Sequence, residues 1–182
     1  CLTTNPVDGM CTSSEYGAMP DWDVSNVTDM EQAFLNKEDF NADISGWDVS
    51  NVETMSLMFY VASSFNQDIT GWNTVNVTNM FGLFYKASDF NQPIGIWNVN
   101  NVTDMKSMFR NTELFNQPIN NWNVTNVEFM SQMFLGALLF NQDLSGWDVS
   151  KVTEMEAMFG GSPFNQDIGD WDVSSLTKMG AM

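Results

Sequence analysis

The sequence predicts an α/β repeat solenoid of about seven coils, each a short parallel strand followed by a short helix. Three observations carry that expectation. Tryptophan recurs at Trp22, Trp47, Trp72, Trp97, Trp122, Trp147 and Trp171, in five steps of 25 residues and one of 24, which uses all seven tryptophans of the 182-residue chain. The same apolar residues return in phase behind each tryptophan. Within each copy the apolar spacing changes from two residues to three or four, the change expected between strand and helix.

Residues 1–21 match the repeat poorly and read as an N-terminal cap over the first core layer. The chain's two cysteines, Cys1 and Cys11, both fall here. Their nine-residue gap fits neither a redox pair nor a zinc site, and a disulfide stapling the cap fits better. The rival reading makes Cys1 the lipid-modified first residue of a mature lipoprotein. Met19 stands three residues before Trp22, where later copies carry Ile, so the segment ends as a degenerate coil.

Residues 22–182 form the repeat, with each tryptophan counted as position 1. Trp and Val at positions 1 and 3 alternate with polar residues, the mark of a half-buried strand. Positions 6, 9, 12 and 13 recur at helical spacing, with Ser or Asn at positions 4 and 5 available as a cap. Position 9 is always methionine, Met30 to Met179, and position 13 is phenylalanine in all six complete coils, Phe34 to Phe159. A second row, Phe40, Phe65, Phe90, Phe115, Phe140 and Phe164, precedes an irregular return through Phe-Asn-Gln. The asparagine after each phenylalanine, Asn41, Asn66, Asn91, Asn116, Asn141 and Asn165, is expected to form a hydrogen-bonded structural ladder between coils. Gly160-Gly161-Ser162-Pro163 shortens the sixth coil by one residue, a tightened turn. The chain stops at Met182 without a polar closing unit, so a longer array truncated at this end is expected.

The composition excludes several functions. There are 23 acidic and 6 basic residues, a net charge of −17, and no histidine. Nucleic acid is therefore a poor partner, and histidine-based catalytic triads and the usual zinc sites are absent. No apolar run is long enough to span a bilayer.

The string Phe140-Asn141-Gln142-Asp143-Leu144-Ser145-Gly146-Trp147-Asp148-Val149-Ser150-Lys151-Val152-Thr153-Glu154-Met155 resembles the bacterial surface-protein repeat of the BspA-like leucine-rich-repeat family. The resemblance covers residues 22–182. It implies a leucine-rich-repeat-like solenoid at the cell surface, similar to adhesins and host- or matrix-binding proteins, and it brings no catalytic residues. Lys151 and Ser175 depart from the usual Asn, and Ala33 from the usual Met or Leu.

What all coils share is scaffold, so a site is sought where one coil differs. Phe81, Ile96 and Phe129 are large apolar residues at positions otherwise mainly polar or small, and Tyr60, Tyr85, Leu135, Leu138 and Leu139 add apolar surface. These are candidate contacts for a partner. Asp23, Asp48, Asp148 and Asp172, at position 2 of neighbouring coils, are candidate calcium ligands, although they lack a compact binding loop. Asn26, Asn76, Asn101 and Asn123 begin Asn-x-Thr sequons that arise from the repeat itself.

The expected function is a non-enzymatic extracellular, cell-surface module for adhesion, binding a protein or glycan. It needs no cofactor, with calcium as the one candidate. The alternative is a structural spacer or subunit of an extracellular appendage or coat, partnered by copies of itself.

Overall fold

The protein is described by a computed structural model at residues 7–11 and 17–182. It is a stack of coils around one continuous aromatic and aliphatic core, as the repeat requires. The expected strand and helix in each coil are not there. The only helical elements among the described residues are two single-turn 3₁₀ segments, Met19–Asp21 and Ile94–Ile96. Neighbouring coils touch through isolated parallel bridges rather than a sheet. These bridges sit at position 8, Asp29 to Thr54, Thr54 to Asn79 and onward to Lys178, not at the Trp-Val segment. The α/β assignment is therefore wrong, and so is its leucine-rich-repeat-like strand-and-helix coil: this is a solenoid of stacked β-turns.

Positions 9–16, read from the sequence as a helix, are consecutive type II turns. Met58 N–H donates to the Met55 carbonyl at 3.1 Å and Ala62 N–H to that of Phe59 at 3.0 Å, closing turns 9–12 and 13–16. The third residue of each turn has positive φ, as type II demands: Gln32, Leu57, Gly82, Ser107, Gln132 and Ala157 at position 11. Asn36, Val61, Lys86, Asn111, Gly136 and Gly161 do the same at position 15. The central peptide of each turn is thereby rotated onto the solenoid axis. Leu57 N–H reaches the Phe81 carbonyl of the next coil at 2.8 Å, and Val61 N–H that of Tyr85 at 2.7 Å. Alternate peptides thus close turns within a coil and join one coil to the next, satisfying the backbone without a regular element.

Spacing explains why a helix loses. The position-13 rings stack along the axis with centroids 5.4–5.8 Å apart. Packed helices need about 8–10 Å between axes, so a helix in every coil cannot follow this rise. A helix would also consume internally the amides that the next coil needs. Apolar residues at 9, 12, 13 and 16 fit both designs, because turns repeating every four residues turn their first and last members inward.

The core follows from those inward positions. Within each coil the two phenylalanines stack face to face at 3.8–4.0 Å, and most of these rings are fully buried. The tryptophans of coils two to seven close the core edge, and each indole Nε1–H donates to the carbonyl three residues before the preceding tryptophan, at 3.1–3.2 Å. Met19 carries the first of these carbonyls and is itself buried. In the shortened sixth coil, Ser162 N–H still closes its turn on Phe159 at 2.9 Å, and the Phe159–Phe164 stack stays at 3.8 Å. The missing residue is absorbed in the return between them.

The return segment is held by side chains. The amide oxygen of Asn41 accepts the Asn66 backbone N–H, and the relation repeats to Asn91, Asn116, Asn141 and Asn165 at 2.9–3.1 Å. From the second coil on, the glutamine after the asparagine adds a bond to the asparagine of the coil below, as Gln92 does to both oxygens of Asn66 at 2.7 and 2.8 Å, whereas Ala42 follows Asn41. A second ladder was not foreseen. Asn51, Asn76, Asn101 and Asn126, at position 5, donate Nδ2–H to the position-4 carbonyl of the preceding coil at 2.7–2.9 Å. They join coils and cap no helix. Cys11 is disulfide-bonded and buried, while Cys1 lies outside the described residues.

Candidate functional site

In a type II turn whose ends point into the core, the two middle residues point away from it, with the small Ser56, Ser107 and Ser131 covered by larger neighbours. Rows 10 and 14 therefore run side by side along the outer wall of the stack. Row 10 reads Glu31, Ser56, Phe81, Lys106, Ser131 and Glu156, and row 14 reads Leu35, Tyr60, Tyr85, Arg110, Leu135 and Gly160. Between them lies a groove of about 490 Å³ whose lining includes Leu57, Tyr60, Phe81, Tyr85, Lys106, Arg110, Gln132, Glu154 and Glu156. Gly82 forms its floor with φ +58°; a Cβ there would stand 2.8 Å from Leu57 Cδ2. Glycine supplies the turn's left-handed residue here without a side chain, and the Leu57 side chain packs into the space that a Cβ would need.

Tyr60, Phe81 and Tyr85 line this groove, and Phe129 stands beside it against Lys106. The Tyr60 and Tyr85 rings stack at 4.4 Å and 9°. The Arg110 guanidinium continues that row over Tyr85 at 5.3 Å, with Lys86 Nζ 5.8 Å from the same ring. Lys106 Nζ lies 4.7 Å from the Phe129 ring and 6.0 Å from Phe81. All four aromatic residues are half-buried. Three of the chain's six bases thus converge on one aromatic wall of a protein with net charge −17. Ile96 is not among them; it ends the second 3₁₀ turn and is 76% exposed on another face.

The electrostatics of the groove are graded along the stack. Lys106 pairs with Asp104 at 3.5 Å, both partly exposed. Toward the sixth coil, Lys178 donates to Glu154 at 2.7 Å, which lowers the Glu154 pKa and raises that of Lys178. Burial pushes the Tyr60 phenol above its ordinary value, and the neighbouring Tyr85 adds to the shift. Arg110 donates through Nη1 to Gln132 Oε1. Its Nε is the one fully buried side-chain polar atom without a hydrogen-bond partner among the described residues.

The candidate calcium row is elsewhere and already occupied with local work. Asp23, Asp48, Asp148 and Asp172 are exposed, and each accepts the backbone N–H two residues on at 3.0–3.1 Å. Hydrogen bonds from the serine side chain and then its backbone hold all four carboxyls below their ordinary pKa. No group of three or more metal-ligating side chains occurs among the described residues. Of the sequon asparagines, Asn76 and Asn101 commit their Nδ2 to the position-5 ladder.

Phe81, Phe129 and the tyrosines were visible in the sequence as departures from their rows. Lys106 and Arg110 were missed, since scattered repeat positions hide the fact that positions 10 and 14 are neighbours on one wall. Glycine or asparagine at position 15 in four of six coils was the available signal that this wall is built of turns.

Fold and groove together define a repeat protein that presents one singular surface on a uniform scaffold. Residues 7–113 and 92–182 match the family described as Mycoplasma protein of unknown function, DUF285, and the chain belongs to that family. No curated protein and no solved structure matches the chain. No helix among the described residues is long and apolar enough to cross a membrane.

Proposed function

We propose that this protein is a non-enzymatic extracellular module of the cell surface, of the BspA-like kind its repeat resembles, and that it binds a partner in the groove between rows 10 and 14. The observation that carries the reading is the convergence of Tyr60, Tyr85, Phe81, Lys106 and Arg110 on one wall. Aromatic and arginine side chains concentrate at binding hot spots because they combine apolar area with directed polar contacts. The same positions in other coils carry small, acidic or aliphatic residues, so the scaffold does not require these ones. A disulfide at Cys11 suits an oxidising compartment.

The test is adhesion of the purified protein to intact cells and matrix, comparing native protein with Phe81→Asp/Phe129→Asp. Loss of adhesion with an unchanged melting temperature supports the groove. Equal adhesion by the variant, or filaments in place of a soluble binder, rejects it and favours the structural-subunit alternative.

A further inference from the structure

We infer that the groove selects a saccharide carrying a single carboxylate, with Arg110 as the anion-binding residue and the Tyr85 end of the wall as the sugar platform. This deepens the partner-binding reading and rests on it.

Chemistry narrows the ligand in three steps. Charge comes first. The basic cluster of Lys86, Lys106 and Arg110 lies on a chain of net charge −17, and Glu154 and Glu156 close the groove at its other end. A local anion is attracted, whereas an extended polyanion is repelled by its surroundings. One charge fits better than many.

Arg110 comes second. Its guanidinium is fixed on one side by Gln132 and stacked over Tyr85, yet Nε has no acceptor. A buried donor without a partner costs about 1–3 kcal/mol. A small rotation that brings Nε and its neighbouring Nη toward the groove presents the two-pronged edge that matches a carboxylate. Lys106 is less free, being shared with Asp104 at 3.5 Å.

The backbone comes third. The amides of the groove floor are spent between coils, as Gly82 N–H is on the Lys106 carbonyl at 2.8 Å and Ser107 N–H on that of Ser131 at 3.0 Å. An extended peptide would therefore find no free main-chain edge to pair with. The wall offers aromatic surface beside hydroxyl, amide and charged side chains, which suits a ligand that has an apolar ring face and a polar rim.

The probes are the methyl glycosides of glucuronic acid and N-acetylneuraminic acid, with methyl glucoside as the neutral control and a blocked Glu-Glu dipeptide as the peptide control. Binding is read by ligand-observed NMR on the full chain. One of the two acidic sugars is expected to bind at least about tenfold more tightly than methyl glucoside. R110Q should lose about tenfold of that affinity, and R110K should regain part of it, since lysine keeps the charge without the fork. Melting temperatures of both variants show whether the fold is intact, and K106Q gives a second variant on the same wall.

Equal binding of methyl glucoside, an R110Q variant that binds as well as the native protein, or binding of neither acidic sugar overturns the inference. Preference for the dipeptide also overturns it and leaves the groove as a protein-binding site. Cell adhesion that depends on Phe81 and Phe129 but not on Arg110 removes the sugar acid and keeps the partner reading. Adhesion indifferent to all three removes both.

Discussion

Two sets of aromatic residues coexist in this molecule and behave oppositely. Phe34 to Phe159, Phe40 to Phe164 and the tryptophans recur in every complete coil, face inward and are mostly buried. Phe81, Phe129, Tyr60 and Tyr85 each occur in one coil, face outward and remain half-buried beside cations. In a stack where each coil sees only its neighbours, a residue needed for stability is needed in every coil. Recurrence therefore marks structure, and singularity marks the surface where one coil differs from the next.

The largest contrast is predicted between Phe84 and Phe81, three residues apart. Phe84 is fully buried and stacks on Phe59, Phe90 and Phe109 at 3.8–5.7 Å. Phe84→Ala should cost about 3–5 kcal/mol in chemical denaturation. Phe81→Ala should cost about 1 kcal/mol or less while weakening partner binding. Equal costs would erase the distinction.

The polar scaffold gives an intermediate effect. Asn91 Oδ1 accepts both Asn116 N–H and Gln117 Nε2–H, at 3.1 and 3.0 Å. Asn91→Ala should lose about 1–3 kcal/mol, measured in the same assay, because two donors are left without their acceptor.

Strain gives a change of opposite sign. Val61 holds φ +57°, where a β-branched residue is disfavoured, and neighbouring coils place Asn36, Asn111, Gly136 and Gly161 at the same position. Val61→Asn should raise stability by about 1 kcal/mol. A melting temperature that falls would show that Val61 packing outweighs its backbone cost.

The smallest effect is a pH dependence. The carboxyls of Asp23, Asp48, Asp148 and Asp172 are depressed chiefly by serine hydrogen bonds. A depressed folded-state pKa means these groups contribute stability above their unfolded value, near about pH 4, and lose it as pH falls through the lower folded value. Coils three to five already carry Asn73, Asn98 and Asn123 in the same turn, where no proton is involved. Asp48→Asn/Asp148→Asn should flatten the acid limb of a melting-temperature profile below about pH 4, and an unchanged limb would assign acid sensitivity elsewhere.

The coil boundaries, the inward rows and the tryptophan register were legible because burial leaves a periodic mark. The local backbone was not. Apolar residues at positions 9, 12, 13 and 16 fit both a helix and a run of four-residue turns, and periodicity alone does not separate them. The residues that decide, at positions 11 and 15, carry the sign of φ only weakly. Gly82, Gly136, Gly161, Asn36 and Asn111 tolerate the left-handed region, but Leu57, Val61 and Lys86 adopt it because the stack compels them. The groove was half legible: its aromatic residues stood out from their rows, whereas Arg110 and Lys106 acquire meaning only once rows 10 and 14 are known to be adjacent.

The turn wall also gives the stack an electrical direction. The N–H groups of positions 9, 11, 13 and 15 point toward the following coil, and the carbonyls of the same peptides, at positions 8, 10, 12 and 14, point toward the preceding one, as in Met55 to Asn79, Leu57 to Phe81, Phe59 to Leu83 and Val61 to Tyr85. The position-7 bonds, such as Glu53 to Thr28, run the other way and offset only part of this. The aligned peptide dipoles add, as they do in an α-helix, but with reversed polarity relative to the chain: partial negative charge faces the earlier coils and partial positive charge the later ones. Any body that extends this wall by backbone pairing must therefore join with the same polarity. Two walls meeting head to head would bring carbonyl against carbonyl, so the turn type that builds one coil also sets the sense in which the next is added.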